Sequence, residues 1–141
     1  MSAVRAREGG SAAVELTLAT PVLVLMLLFV VAAGRLVWAR QQVDSAARQA
    51  ARTASTAHSP QAAARAATAA TGAALSAGHP SCRAFQVTVD TSAFRPGGQV
   101  TVDVTCTVAL SDLTLLGVPG TRRIGARFTA PVDRFVGVVA Q

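Results

Sequence analysis

The chain has no lysine. Thirteen arginines, from Arg5 to Arg134, carry all of its positive side-chain charge and leave a net charge of +6. They form no dense cluster along the sequence, and aromatic residues make up only 4%. Dispersed arginine without interleaved aromatic rings argues against a nucleic-acid surface, so no specific nucleic-acid partner is expected. The scarcity of aromatics also excludes a core of large rings. Beyond the apolar run, the carboxylates Asp90, Asp103, Asp112 and Asp133 are scattered, which offers no adjacent pair for general acid–base work. His58 and His79 each sit near a proline, with no second ligand at metal spacing. Neither a glycine-rich phosphate loop nor a Ser–His–Asp order occurs. The expectation is a chain with no catalytic residue, no metal and no cofactor: not an enzyme.

What is present is aliphatic. Hydrophobic residues are 51% of 141, enough for one small domain and a membrane segment, and too few for two independent cores. The run Leu16–Gly34 has no charge. As a helix, Ala12 to Gly34 rises about 34 Å, slightly more than a hydrocarbon core of ~30 Å. It is longer than the roughly 7–15 apolar residues of a cleaved secretory signal. Arg5 and Arg7 ahead of it favour a cytoplasmic N-terminus, while Arg35 and Arg40 behind it weaken that asymmetry. The two cysteines, Cys82 and Cys106, resolve it. An even pair beyond the run points to one disulfide in an oxidising compartment, which places the leader inside and the C-terminal part outside.

Two residues in this segment stand out. Pro21 removes a helix hydrogen bond and is expected to kink or loosen the turn before it, with Thr17 and Thr20 hydroxyls nearby to compensate. Glu15 is a carboxylate abutting lipid-length apolar sequence, which is costly. Either it snorkels to the headgroups or it has a partner. A Gly five residues earlier suggests the partner: cleavage after Gly10 would create an α-amine on Ser11, and that amine on a neighbouring subunit would make burial of both charges tolerable.

Beyond the run, Leu36–Ser55 reads as unbroken helix, with Val43, Ala47, Ala50 and Ala54 on one face. Asp44 can pair with Arg40 and Arg48 at spacing four. The small-residue stripe permits close approach, to the chain's own sheet or to a neighbour. Ser59 and Pro60 fit the cap and first position of a second, Ala-rich helix running to about Ala77, with too little bulk to pack tightly. Gly78-His79-Pro80 stops it. The last third alternates at period two: Phe85, Val87 and Val89; then Val100 through Leu110; then Ile124, Ala126, Phe128 and Ala130. These are half-buried antiparallel strands, turned at Pro96-Gly97-Gly98 and between Gly117 and Gly120. Cys106 falls on the apolar face, where a bridge to Cys82 is sheltered. The apolar loop Asp112–Val118 is expected to pack on the Ala-rich helices or to contact another subunit. The fold class is α+β: a long transmembrane and stalk helix, a second helix, and a three-stranded antiparallel sheet with one disulfide. The expected division is leader 1–10, transmembrane helix 11–34, helical stalk 35–57 and extracytoplasmic head 58–141.

The stretch Gly9-Gly10-Ser11-Ala12-Ala13-Val14-Glu15-Leu16-Thr17-Leu18-Ala19-Thr20-Pro21, the exit Ala33-Gly34-Arg35-Leu36 and the helix Arg40–Arg52 together resemble the type IV pilin and pseudopilin superfamily. They are most similar to TadE-like proteins of tight-adherence (Flp) pilus systems. The likeness lies in small residues before Val-Glu, a Pro six residues after the Glu, and Gly-Arg near the membrane exit. It covers residues up to about 55; the remainder matches only in general, pilin-like layout. The resemblance implies a membrane prepilin peptidase cutting between Gly10 and Ser11, and an assembly role for Glu15. Its implied partners are membrane lipid, other pilins or pseudopilins and the pilus assembly machinery. Major Flp pilins are far shorter, so it implies a minor pilin or pseudopilin, in the cell membrane or in the pilus itself, serving surface adhesion. The residues alone leave two alternatives open. One is an uncleaved single-pass anchor carrying an extracytoplasmic binding or sensing module; the other is a secreted domain cut near Ala32-Ala33-Gly34.

Overall fold

The computed structural model describes residues 9–77, 82–114, 117 and 119–135. In order these form α1 (Gly9–Ser55), α2 (Pro60–Ala77), β1 (Ala84–Asp90), β2 (Gln99–Ala109), α3 (Leu110–Thr114) and β3 (Thr121–Pro131). The strands make one antiparallel meander with β2 in the centre. At 47 residues α1 is about 70 Å long.

Alternation along β2 sends Val100, Val102, Val104, Cys106 and Val108 to one face, each at most 1% exposed. In register with them, Phe85, Val87 and Val89 of β1 and Ile124, Ala126, Phe128 and Ala130 of β3 extend that face. Full burial of each β2 valine contributes about 1.5–3 kcal/mol. The opposite face carries directly paired polar residues: Thr101 with Thr129 (2.9 Å between hydroxyls) and Asp103 with Arg127 (2.7 Å). Such cross-strand pairs fix register on a solvated sheet face.

The apolar face is covered by the second half of α1 and by α2. Ala46, Ala47, Ala50, Ala51 and Ala54 are fully buried. The stripe is therefore used within the chain, because side chains this short let a helix axis come close to a valine-lined sheet. On α2 the buried positions are Ala63, Ala67, Thr71 and Leu75, at spacing four. This corrects the expectation of loose packing: Ala63 and Ala67 are fully buried, since lack of bulk permits tighter helix contact rather than preventing it. Thr71, the buried polar residue here, donates its hydroxyl to the Ala67 carbonyl at 2.8 Å.

The cap of α2 is formed as expected. The Ala62 amide donates to Ser59 Oγ at 3.2 Å, and Pro60 is the first helical residue. Replacing Ser59 by Ala leaves that amide without its side-chain acceptor and is expected to cost about 1 kcal/mol. Urea unfolding of the full chain in detergent measures it; a cost indistinguishable from zero would show that water substitutes for the cap. In the β1–β2 turn, Gly97 has φ 73°, and a Cβ on Gly98 would lie 2.1 Å from the Ala93 carbonyl oxygen, so both positions require glycine.

Two details differ from the sequence expectation. Asp44 pairs with Arg48 and not with Arg40. The second strand ends at Ala109 rather than Leu110, where the ladder closes with the Leu110 amide donating to the Gly120 carbonyl (3.0 Å) and the chain turns into the short helix α3. The helix stop at Gly78-His79-Pro80 lies outside the described residues, as do Leu115, Leu116, Val118 and the leader before Gly9.

Candidate functional site

Helix α1 changes surroundings within one turn. From Val14 to Trp38 no side chain is buried, and Ala39 is 3% exposed. Leu16 is 71% and Phe29 73% exposed in a segment of mean hydropathy 2.6. An uncovered apolar surface of this extent is unsuited to water. Its length fits a single-pass membrane anchor, with Trp38 placed where an amphipathic ring suits the membrane interface.

Gly10 and Ser11 lie in the first turn of α1, as backbone within the helix. Glu15 follows Ser11 by four residues, about 6 Å along the axis and on the same face. Its side chain is exposed, and among the described residues it has no ion-pair partner. The helix continues through Pro21. The residue four before Pro21 is Thr17, but the Thr20 hydroxyl donates instead to the Leu16 carbonyl (2.7 Å). Leu16, Thr20, Pro21, Val24 and Leu25 border a shallow apolar notch there. Cys82 and Cys106 are joined, with Cα atoms 5.6 Å apart. The bond lies in the head and ties the chain ahead of β1 to the middle of β2.

The membrane-proximal end of the head is held to α1 by Arg35, which donates to the Asp112 carbonyl at 3.0 Å. Close by, the fold does what the linear sequence did not suggest. Arg40 of α1 meets Arg122 and Arg123 of β3 around an open cleft of about 420 Å³ that Gln41, Asp44 and Ile124–Ala126 also line. Arginines dispersed along the sequence are thus gathered in space: positions 82 residues apart are joined by packing of α1 on β3. The sequence offers only the Arg122-Arg123 doublet, one residue beyond Pro119-Gly120, and nothing in it points to Arg40.

Elsewhere the charges serve the fold. The Ser92 backbone amide, then its side chain, lowers the Asp90 carboxyl below its ordinary range, and Asp103 raises the Arg127 guanidinium. His58 is exposed at the α1–α2 turn, and His79 lies outside the described residues. Among the described residues no group of His, Cys, Asp and Glu is arranged to hold a metal.

An exposed apolar helix continuous with a small disulfide-bonded α+β head defines a class of single-helix anchored proteins. Residues 10–52 match the family model described as TadE-like protein. The match opens on Gly10, spans the whole exposed segment and ends in the alanine stripe. No match was found among curated proteins or among solved structures.

Proposed function

We propose that this chain is a minor pilin, or pseudopilin, of a tight-adherence (Flp-type) pilus, structural rather than catalytic. In this reading a prepilin peptidase severs the Gly10–Ser11 bond, and the mature subunit stays in the cell membrane by residues 11–34 until assembly draws it out. The leader is cytoplasmic and the head extracytoplasmic, where an oxidising compartment suits the Cys82–Cys106 bond. The observation that carries the reading is the stacking of Gly10, Ser11 and Glu15 at the foot of a lipid-suited helix, inside the segment that matches TadE-like proteins.

The geometry is compatible with a simple mechanism for this reading. A peptidase needs its substrate backbone accessible, and Gly9 and Gly10 each lower helix stability by about 1 kcal/mol relative to alanine, so the first turn unwinds readily. Cleavage then leaves an ammonium on Ser11 one turn below Glu15. Pairing each carboxylate with the amine of the next subunit sets a relative axial shift of about 6 Å, four residues at 1.5 Å each. The apolar notch at Pro21 offers lateral contact on the same segment.

Edman sequencing of the protein from a host carrying the pilus system tests the cut. A mature chain beginning Ser-Ala-Ala-Val-Glu is expected, with Gly10→Leu retaining its leader. An intact or Met-trimmed start would replace this reading with an uncleaved anchored module, and a start near Arg35 with a secreted domain.

A further inference from the structure

The cleft between α1 and β3 has an unusual charge balance. Arg40, Arg122 and Arg123 face one carboxylate, Asp44, and that is already paired with Arg48. The other described aspartates of the head are also engaged. Asp103 holds Arg127 and Asp112 approaches Arg83 (3.8 Å). Asp90 accepts from the Ser92 amide and Asp133 from the Phe135 amide. Among the described residues no further acid neutralises the three cleft arginines, so there the fold gathers more positive charge than it offsets.

Its height along α1 says what supplies one. Arg40 stands six residues beyond Gly34, about 9 Å past the end of the uncharged run. The headgroup zone on one side of a bilayer is about 5–8 Å thick, and an arginine side chain reaches across the difference. Arg122 and Arg123 share that level because β3 packs there on α1. Guanidinium groups bind phosphate oxygens through paired N–H donors, a geometry that an isolated ammonium lacks. We propose that this cleft binds the phosphate of an anionic phospholipid in the leaflet beneath the head, seating the head on the membrane before assembly. Lipid is favoured over a soluble phosphate because the cleft arginines stand within side-chain reach of the headgroup level, where phosphate is always present. The proposal rests on α1 spanning the bilayer.

Trp38 is the sole tryptophan and the chain has no tyrosine, so one fluorophore reports from two residues below Arg40. The full chain is placed in vesicles of fixed phosphatidylcholine–phosphatidylglycerol composition, with shallow acyl-chain bromines on one lipid or the other. Per mole of brominated lipid, phosphatidylglycerol is expected to quench about five-fold more, the factor one arginine–anionic lipid contact provides. In the variant Arg40→Gln/Arg122→Gln/Arg123→Gln the preference is expected to vanish, with an unchanged circular dichroism spectrum. Equal quenching by both lipids in the wild type overturns the proposal and leaves the anchor intact. A preference surviving in the triple variant overturns it too, assigning the effect to other charges. Loss of the preference on adding inorganic phosphate, but not chloride of equal ionic strength, gives the cleft to a soluble anion. Absence of quenching by either lipid removes the spanning reading, and the proposal with it.

Discussion

Cys82→Ala is expected to destabilise the head by about 3.5 kcal/mol. The bond joins residues separated by 24 in sequence, and opening a loop of this size in the unfolded chain restores that much conformational freedom in the chain-entropy model. For a domain of this size the corresponding fall in Tm is roughly 15–25 °C. Cys82 is the cleaner site for the test because it is only half-buried, whereas Cys106 is 1% exposed between Val104 and Val108. Cys106→Ala therefore loses the sulfur from the packed core as well and is expected to cost about 1 kcal/mol more.

The consequence is local before it is global. β1 is an edge strand whose apolar residues Phe85, Val87 and Val89 are none of them fully buried, Phe85 being 40% exposed. Its cover is thin: a Cβ on Gly72 of α2 would sit 3.6 Å from the Phe85 ring. Without the bridge, amides of Val87 and Val89 are expected to exchange with solvent faster than those of Val102 and Val104. Thermal unfolding and hydrogen exchange of oxidised wild type and Cys82→Ala, both in detergent, measure the two effects. A Tm difference under about 3 °C would remove the bridge from any account of stability.

How much of this was readable in advance depends on the kind of pattern. Strand faces came directly from alternation, because period two leaves only two faces and Val100 to Val108 repeat without a break. The α2 start came from Ser59-Pro60, a local signal needing no tertiary knowledge. The alanine stripe of α1 was different. Residues such as Ala47 and Ala50 fit equally well against a sheet, another helix or a neighbouring subunit, and only the folded chain chooses. α3 has no sequence signature, because the five residues of Leu110–Thr114 are too short for helical periodicity to register. The arginine cleft was invisible for a topological reason: Arg40 and Arg122 become neighbours only once α1 lies across β3. The segment around Gly10 and Glu15 carries the resemblance to TadE-like proteins in contiguous residues on one turn and a half of helix, so that likeness needs no tertiary knowledge.

Glu15→Gln is expected to reduce incorporation of the subunit into the pilus by at least a hundred-fold while leaving its cleavage intact. The reasoning concerns the partner left behind. In the proposed assembly the α-amine of Ser11 in one subunit lies against Glu15 of another, in a medium where an isolated ammonium is poorly solvated. Removing the carboxylate charge strands that ammonium, and breaking one side of a buried pair costs about 3–5 kcal/mol, a factor of roughly a hundred to several thousand in association. Glutamine keeps the size and a hydrogen-bond acceptor, so the variant isolates charge from shape. The head is unaffected, because Glu15 is far from the core that begins at Ala39. The two arms are N-terminal sequencing of the membrane-bound pool and quantitation of the subunit in sheared pili or assembly intermediates. Ser11 as the first residue in both proteins, with the variant confined to the membrane pool, is the expected pattern. Equal incorporation of variant and wild type would mean that Glu15 meets headgroups and water rather than a neighbour. A variant that incorporates poorly but regains assembly with Glu15→Asp would place the requirement on the negative charge itself, since aspartate shortens the side chain and keeps its charge.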